Sequence, residues 1–131
     1  MLQNINILMV DDVEFTRELL KSAIKASIND DNIPLEPQFF TLSKGKEVLD
    51  IIELKKINLV YLDIELPDIN GLEILKKIKK QSKKTMVVMV SGENSSANVM
   101  DAIKNGASGF IVKPFNSGRI SDSLRNYLKM G

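Results

Sequence analysis

The residues best suited to chemistry in this sequence are acids, a serine and a lysine that follow or end apolar runs. They are Asp11, Asp12, Asp63, Ser91 and Lys113. If each apolar run is a buried strand of one parallel sheet, these side chains share the sheet's carboxyl edge, where ligands bind in open α/β folds. Three carboxylates at one edge raise one another's pKa values unless a cation compensates, and all-oxygen ligands favour Mg²⁺.

This set of side chains is suited to phosphoryl transfer, which needs in-line positioning and neutralised charge on the phosphoryl oxygens. Asp63 is the candidate nucleophile and would become an acyl phosphate. Lys113 would supply a fixed positive charge, and Ser91 a hydrogen bond. Each residue also has a structural alternative. Asp63 could be a turn residue or helix cap, Asp11 and Asp12 an N-cap and a first-turn acid, Ser91 a turn residue and Lys113 a solvated lysine.

Composition narrows the available chemistry. The chain has 131 residues and 44% hydrophobic residues, which predicts a single domain over 1–131. It contains no Cys and no His, so disulfides, thiolate metal sites and imidazole-dependent triads are excluded. A net charge of +1 argues against direct nucleic-acid binding. The amino-terminal residues are too polar for a signal peptide and no apolar run reaches membrane-spanning length, so we expect a cytoplasmic location and no membrane contact.

The elements that would position these residues alternate regularly along the chain. Apolar runs at 5–10, 38–42, 59–63, 86–90 and 110–112 predict five strands. Each is followed by an amphipathic helix, whose apolar positions include Phe15 and Leu19 in the first helix and Met100 and Ile103 in the fourth. Residues 27–37 are polar and contain two prolines, which predicts a loop. The expected fold is α/β, a doubly wound five-stranded parallel sheet in the flavodoxin-like order 2-1-3-4-5 with helices on both faces.

Six lysines crowd the end of the third helix and the segment that follows it: Lys76, Lys77, Lys79, Lys80, Lys83 and Lys84. Such a cluster could bind a phosphate backbone. A solvated helix face is the more ordinary interpretation, because no aromatic residues interleave the lysines.

Taken together, the motifs resemble the receiver domains of bacterial two-component response regulators, the CheY-like family, over almost the whole chain. The matching motifs are the acid pair Asp11-Asp12, Asp63 with the following Leu66-Pro67-Asp68 and Gly71, Ser91-Gly92, and the segment from Gly106 to Phe110 that leads to Lys113-Pro114-Phe115. Ser91 and Phe110 stand where Thr and Tyr are commoner in that family.

The resemblance implies a role for each matching residue. Asp63 would accept a phosphoryl group from a phosphohistidine, and the domain would catalyse only its own phosphorylation and slow autodephosphorylation. Asp12, Asp63 and the Glu65 backbone carbonyl would bind Mg²⁺ directly, with Asp11 acting through water. Lys113 would pair with Asp63 and then with the phosphoryl group, and the Lys113-Pro114 bond would be cis.

Two switch residues would transmit phosphorylation of Asp63 to the protein surface. Ser91 would move toward a phosphoryl oxygen, and Phe110 would turn into the space that Ser91 leaves. The surface of the fourth helix, fifth strand and fifth helix would then change and control an output protein or domain, with homodimerisation through the same face as a further possibility. Lys104, Arg119, Arg125 and Lys129 would line that face.

Because the chain lacks His, its phosphoryl donor must come in trans, from a sensor histidine kinase or a histidine phosphotransfer protein. Acids at Glu65 and Glu93 are expected to alter the lifetime of the phosphoryl group. Two other classes remain open. A phosphate-independent pseudo-receiver would use the same fold only for binding, although such modules usually lose an acid or the lysine. A small phosphatase of the haloacid dehalogenase type would need an Asp two residues after its nucleophile, where this chain has Glu65.

Overall fold

The structure is a computed structural model that describes residues 1–92 and 96–130. Within these residues, five strands alternate with five helices. The strands are β1 (Gln3–Val10), β2 (Leu35–Leu42), β3 (Leu59–Asp63), β4 (Met86–Ser91) and β5 (Gly109–Val112), and the helices are α1 (Glu14–Asp30), α2 (Val48–Leu54), α3 (Gly71–Gln81), α4 (Ser96–Lys104) and α5 (Ser117–Met130).

The five strands form one parallel sheet in the order β2-β1-β3-β4-β5, which confirms the predicted topology. β3 and β4 are buried along their whole lengths. This explains why their sequences are continuous apolar runs instead of alternating patterns. Apolar side chains form a separate core on each face of the sheet, one against α1 and α5 and the other against α2, α3 and α4.

The segment predicted as a loop, 27–37, is mostly regular structure, so this prediction was wrong at both ends. Helix α1 continues to Asp30, and the N–H of Asp31 donates to the carbonyl of Ser27 at 3.0 Å. Strand β2 begins at Leu35, which pairs with Gln3. Pro37 is tolerated inside β2 because this is an edge strand, where a missing N–H breaks no second ladder.

Some predicted core positions are exposed. Phe15 is 70% exposed and Leu19 46%, because α1 buries the stripe that contains Leu20, Ile24 and Ser27. Phe15 lies five residues before Leu20, which is about 140° around the helix. Met100 and Ile103 of α4 are likewise 71% and 52% exposed, and the small Ala102 is buried in their place. Among the described residues, no helix is both long and apolar enough to cross a bilayer.

Candidate functional site

The parallel sheet brings the predicted site residues to its carboxyl edge. Asp11 and Asp12 directly follow β1, Asp63 ends β3, Ser91 ends β4 and Lys113 directly follows β5. The strands that carry them are consecutive neighbours in the sheet. Residues separated by as many as 102 positions in sequence therefore meet in space.

The three aspartates form a compact group. One carboxylate oxygen from each of Asp11, Asp12 and Asp63 lies within 4.8 Å of the others. Asp11 and Asp63 are buried, whereas Asp12 is exposed. Three carboxylates that share one small space, one of them open to solvent, are a donor set that suits a hard divalent cation such as Mg²⁺.

Lys113 joins two members of this group. Its ammonium Nζ donates to Asp11 Oδ2 at 2.7 Å and to Asp63 Oδ2 at 3.2 Å. Burial by itself would lower the pKa of Lys113, but the hydrogen bond to Asp11 and the charge of Asp63 raise the pKa overall. Lys113 is therefore firmly cationic, and the interpretation of it as one more solvated lysine is wrong.

Asp63 is held through both of its carboxylate oxygens. Oδ2 accepts from Lys113, and Oδ1 accepts from the backbone N–H of Glu65 at 3.2 Å. The pKa of Asp63 is nevertheless raised, because burial penalises the charged form by more than Lys113 and the Glu65 N–H stabilise it. The carboxylate is thus pre-positioned and poorly solvated, two properties that would suit a nucleophile.

The loop after Asp63 is shaped by Gly71. A Cβ atom on Gly71 would lie 2.1 Å from the carbonyl oxygen of Asp63, far inside contact distance. The Gly71 N–H instead donates to the carbonyl of Ile64 at 2.7 Å. The first turn of α3 therefore packs directly on the backbone that carries Asp63. Asn70 caps the same helix, accepting from the N–H of Leu72 at 2.8 Å.

The acids after β1 do not cap α1. The N-cap of α1 is Val13, which makes no side-chain capping bond. Asp11 Oδ1 accepts from the N–H of Val13 at 2.9 Å, so it closes a small turn while Oδ2 faces Lys113. The N-cap interpretation of the acid pair is therefore wrong. Both acids instead belong to the cluster of three carboxylates described above.

Two side-chain contacts that support the site were not predicted from the sequence. The guanidinium of Arg17 donates to the backbone carbonyl of Asp11 at 2.5 Å. The Asp68 carboxylate accepts from the backbone N–H groups of Gly45 and Lys46, each at 2.9 Å, and so ties the loop after β3 to the start of α2. Spacing alone gave no signal for either contact, because both partners are backbone groups.

The two predicted switch residues lie on neighbouring strands. Ser91 is fully buried, and Phe110 is half-buried against the core on the α2–α4 face. The β4–β5 register pairs Met89 with Phe110 and Ser91 with Val112, so Ser91 and Phe110 are diagonal neighbours. Phe110 also lines a shallow groove along β5 and α5, to which Arg119, Arg125 and Lys129 contribute.

Other predicted positions are placed as follows. Glu65 is exposed beside the aspartates, and Lys104 is exposed at the end of α4. The Lys113-Pro114 peptide bond is cis, as predicted. Glu93, expected to affect the phosphoryl lifetime, lies outside the described residues.

The amino-acid sequence was compared with protein-family models and with known proteins. Residues 7–125 match the family model described as the response regulator receiver domain. The chain is 34% identical over 125 residues to the chemotaxis protein CheY of Listeria monocytogenes, covering 95% of this chain and 99% of that protein.

Solved structures show the same similarity. The CheY-like receiver domain protein from Methanospirillum hungatei superposes with a TM-score of 0.78 at 28% identity, covering 98% of this chain and all of that one. The response regulator domain of Thermotoga maritima CheB gives a TM-score of 0.75 at 31% identity, covering 98% and 96% of the two chains.

Proposed function

The chain belongs to the response regulator receiver domain family, and we propose that it works as a phosphoacceptor whose Asp63 takes a phosphoryl group from a phosphohistidine. The donor is a sensor histidine kinase or a histidine phosphotransfer protein. The observation that carries the proposal is the joint contact of Lys113 with Asp11 and Asp63 beside the exposed Asp12. This arrangement keeps a nucleophile, a fixed cation and a cation-binding acid set within one small space.

In the proposed reaction, a carboxylate oxygen of Asp63 attacks phosphorus as the bond from phosphorus to the donor nitrogen breaks. The product is an aspartyl phosphate, and the donor imidazole keeps the electron pair of the broken bond. Lys113 is already within hydrogen-bond distance of Asp63, so its ammonium is in place to pair with a phosphoryl oxygen. The N–H of Glu65 holds the other carboxylate oxygen and limits the rotation of the nucleophile.

We assign the metal site to Asp11, Asp12 and Asp63, with the backbone carbonyl of Glu65. A bound Mg²⁺ supplies neutralising charge for the phosphoryl oxygens. The donor set fits this ion because it consists of oxygen atoms alone and because one acid, Asp12, is exposed to solvent. Without a cation, Lys113 is the charge that compensates the two buried acids.

Phosphorylation of Asp63 would move Ser91 and Phe110, and these movements would change the surface formed by α4, β5 and α5. Their diagonal placement supports this route, because movement of the buried Ser91 changes the space beside the half-buried ring of Phe110. An output protein or domain would read the change on that surface, and a second copy of the chain could bind there too. The domain's own chemistry is limited to taking up the phosphoryl group and slowly losing it.

Intact-mass spectrometry after incubation with acetyl phosphate tests the proposal. We expect a gain of one phosphoryl group that requires Mg²⁺, is lost on chelation and is absent in Asp63→Asn. Asp50→Asn, which changes an exposed acid on α2, should keep the gain and serves as the matched control. No gain in the folded protein, with a phosphohistidine donor failing as well, would contradict the proposal and favour the pseudo-receiver. Rapid catalytic release of phosphate without an accumulating adduct would favour the phosphatase.

A further inference from the structure

A groove at the amino edge of the sheet, opposite the aspartates, carries lysines that phosphoryl transfer does not use. It lies where α2, α3 and α5 end, beside the segments that precede β4 and β5, and has a volume of about 1130 Å³. Among the described residues, its lining contains four lysines and one carboxylate, that of Glu53. The lysines are Lys56, Lys79, Lys83 and Lys84. We call the surface lined by these four lysines the basic groove.

The positive charge of the basic groove is not neutralised within the described part of the chain. The salt bridges found there involve other cations, namely Lys76, Lys113 and Arg125. Lys79 is fixed in place, since its ammonium donates to the carbonyls of Lys83 at 3.0 Å and Thr85 at 2.8 Å. These partners are neutral carbonyls, so no described acid pairs with Lys79, and burial lowers the pKa of its ammonium.

The helix dipole of α3 explains only some of the lysines near the basic groove. Lys79 and Lys80 lie in the last turn of α3, where cations favourably meet the negative end of the helix dipole. Lys83 and Lys84 lie beyond the helix end, where the dipole effect has largely decayed, and both are exposed. A dipole therefore does not explain the two lysines that extend the cluster into the groove.

Lys56 adds an independent observation. Its φ is +52°, in the left-handed region that usually selects Gly or Asn after a helix end. A side chain at this position carries a conformational cost that Gly would avoid. The chain nevertheless has a lysine there, and this lysine lines the basic groove.

The lysines are concentrated in one stretch of the sequence. Residues 74–92 contain six lysines and no acid, while the net charge of the chain is +1, so the remainder of the chain is net −5. A long polyanion that extended beyond this stretch would meet a remainder of net negative charge. A short acidic segment that fits within the groove would meet four lysines and, among the described lining residues, one acid.

The groove also offers apolar contact. Met130, 73% exposed, contributes to its wall, and Met86 and Tyr127 line it as well. Tyr127 is only 7% exposed, so its ring gives little surface for stacking a nucleotide base. Apolar and cationic contacts together match an acidic peptide that carries an apolar side chain better than they match a nucleic acid.

We propose that the basic groove binds an acidic, partly apolar segment of a partner protein. Acidic side chains of the segment would pair with Lys56, Lys83 and Lys84, and an apolar side chain would pack against Met130. Because the groove lies at the opposite edge of the sheet from Asp63, a partner bound there leaves the aspartates open to a phosphoryl donor.

Fluorescence anisotropy with a labelled synthetic peptide of alternating Glu and Leu residues tests the proposal. We expect saturable binding to the wild-type protein that weakens as NaCl is raised. The double variant Lys83→Glu/Lys84→Glu should bind about tenfold more weakly. The double variant Lys25→Glu/Lys44→Glu changes the net charge equally at exposed positions outside the groove, and its affinity should change by less than about twofold.

Lys56→Gly gives a second test that does not depend on adding acids. This variant should melt a few degrees higher, because Gly adopts a positive φ without strain, and should bind the peptide more weakly. In both groove variants, acetyl phosphate labelling should remain at the wild-type level, which separates this inference from the role of Asp63.

Several results would overturn the inference. They are no peptide binding by the wild-type protein, equal losses in the groove and control double variants, and a peptide with Gln in place of Glu binding as well as the acidic one. Tighter binding of a single-stranded oligonucleotide than of the peptide would also overturn it, in favour of a nucleic-acid site.

Discussion

Replacing Lys113 with Met should destabilise the fold, by an amount that depends on pH. The wild-type ammonium makes two charge-assisted hydrogen bonds, to Asp11 at 2.7 Å and to Asp63 at 3.2 Å. Both carboxylate side chains are only 6% exposed, so removing their cation leaves two poorly solvated charges facing each other. Loss of a partner from a buried charge pair costs about 3–5 kcal/mol. Since the Lys113 side chain is 25% exposed and water can partly replace it, we expect about 2–3 kcal/mol at neutral pH.

The sign of the pH dependence follows from the pKa of Asp63. This pKa is already raised by burial, and Lys113 is the main group that opposes the rise. Without Lys113 the folded state takes up a proton more readily as pH falls, which removes the repulsion between Asp63 and Asp11. The deficit of the variant should therefore be largest above the folded pKa of Asp63 and shrink as pH falls through it.

Urea denaturation at about pH 8 and about pH 5 measures both parts of this prediction. Lys44→Met is the matched control, because Lys44 is exposed and its loss should change stability by less than about 0.5 kcal/mol. If the proposed metal site is correct, Mg²⁺ should restore stability to Lys113→Met more than it stabilises the wild type. A deficit of the same size at both pH values would refute the reasoning, because a deficit caused by the two facing carboxylates must shrink in acid.

Three further substitutions test contacts that the structure shows. Gly71→Ala should lower the free energy of unfolding by about 3 kcal/mol or more, because its Cβ would lie 2.1 Å from the carbonyl oxygen of Asp63. A loss below about 1 kcal/mol in chemical denaturation would show that the loop can move to accept the Cβ. Hydrogen bonds from two backbone N–H groups lower the pKa of Asp68, so Asp68→Asn should be less stable than the wild type at neutral pH. The difference in stability should close as pH falls through the pKa of Asp68 in the folded protein, and a difference that persists in acid would contradict this. Tyr61→Phe should lower the free energy of unfolding by about 1 kcal/mol, because the buried hydroxyl hydrogen-bonds Ser123 at 2.6 Å. A double-mutant cycle with Ser123→Ala that gave no coupling energy would show that this hydrogen bond contributes nothing to stability.

Most of the fold could be predicted from the sequence, because its central strands are buried on both faces. Such strands must be continuous apolar runs, and the runs at 59–63 and 86–90 carry that signal clearly. The edge strand β2 was placed three residues late, because Pro37 suggested a loop and an edge position tolerates it. Periodicity also assigned Phe15 to the core, since it counts apolar residues without showing which stripe of a helix meets the sheet.

The sequence by itself determined which side chains could do chemistry and that they share the sheet's carboxyl edge, because parallel strands all end on the same side. Tertiary structure decided how those side chains pair. It placed the Lys113 ammonium between Asp11 and Asp63, took both acids out of solvent and left Asp12 exposed. It also supplied the contacts of Arg17 and Asp68 and gathered four lysines around one groove. These features depend on distances between residues far apart in the chain, and local patterns of residue type do not encode such distances.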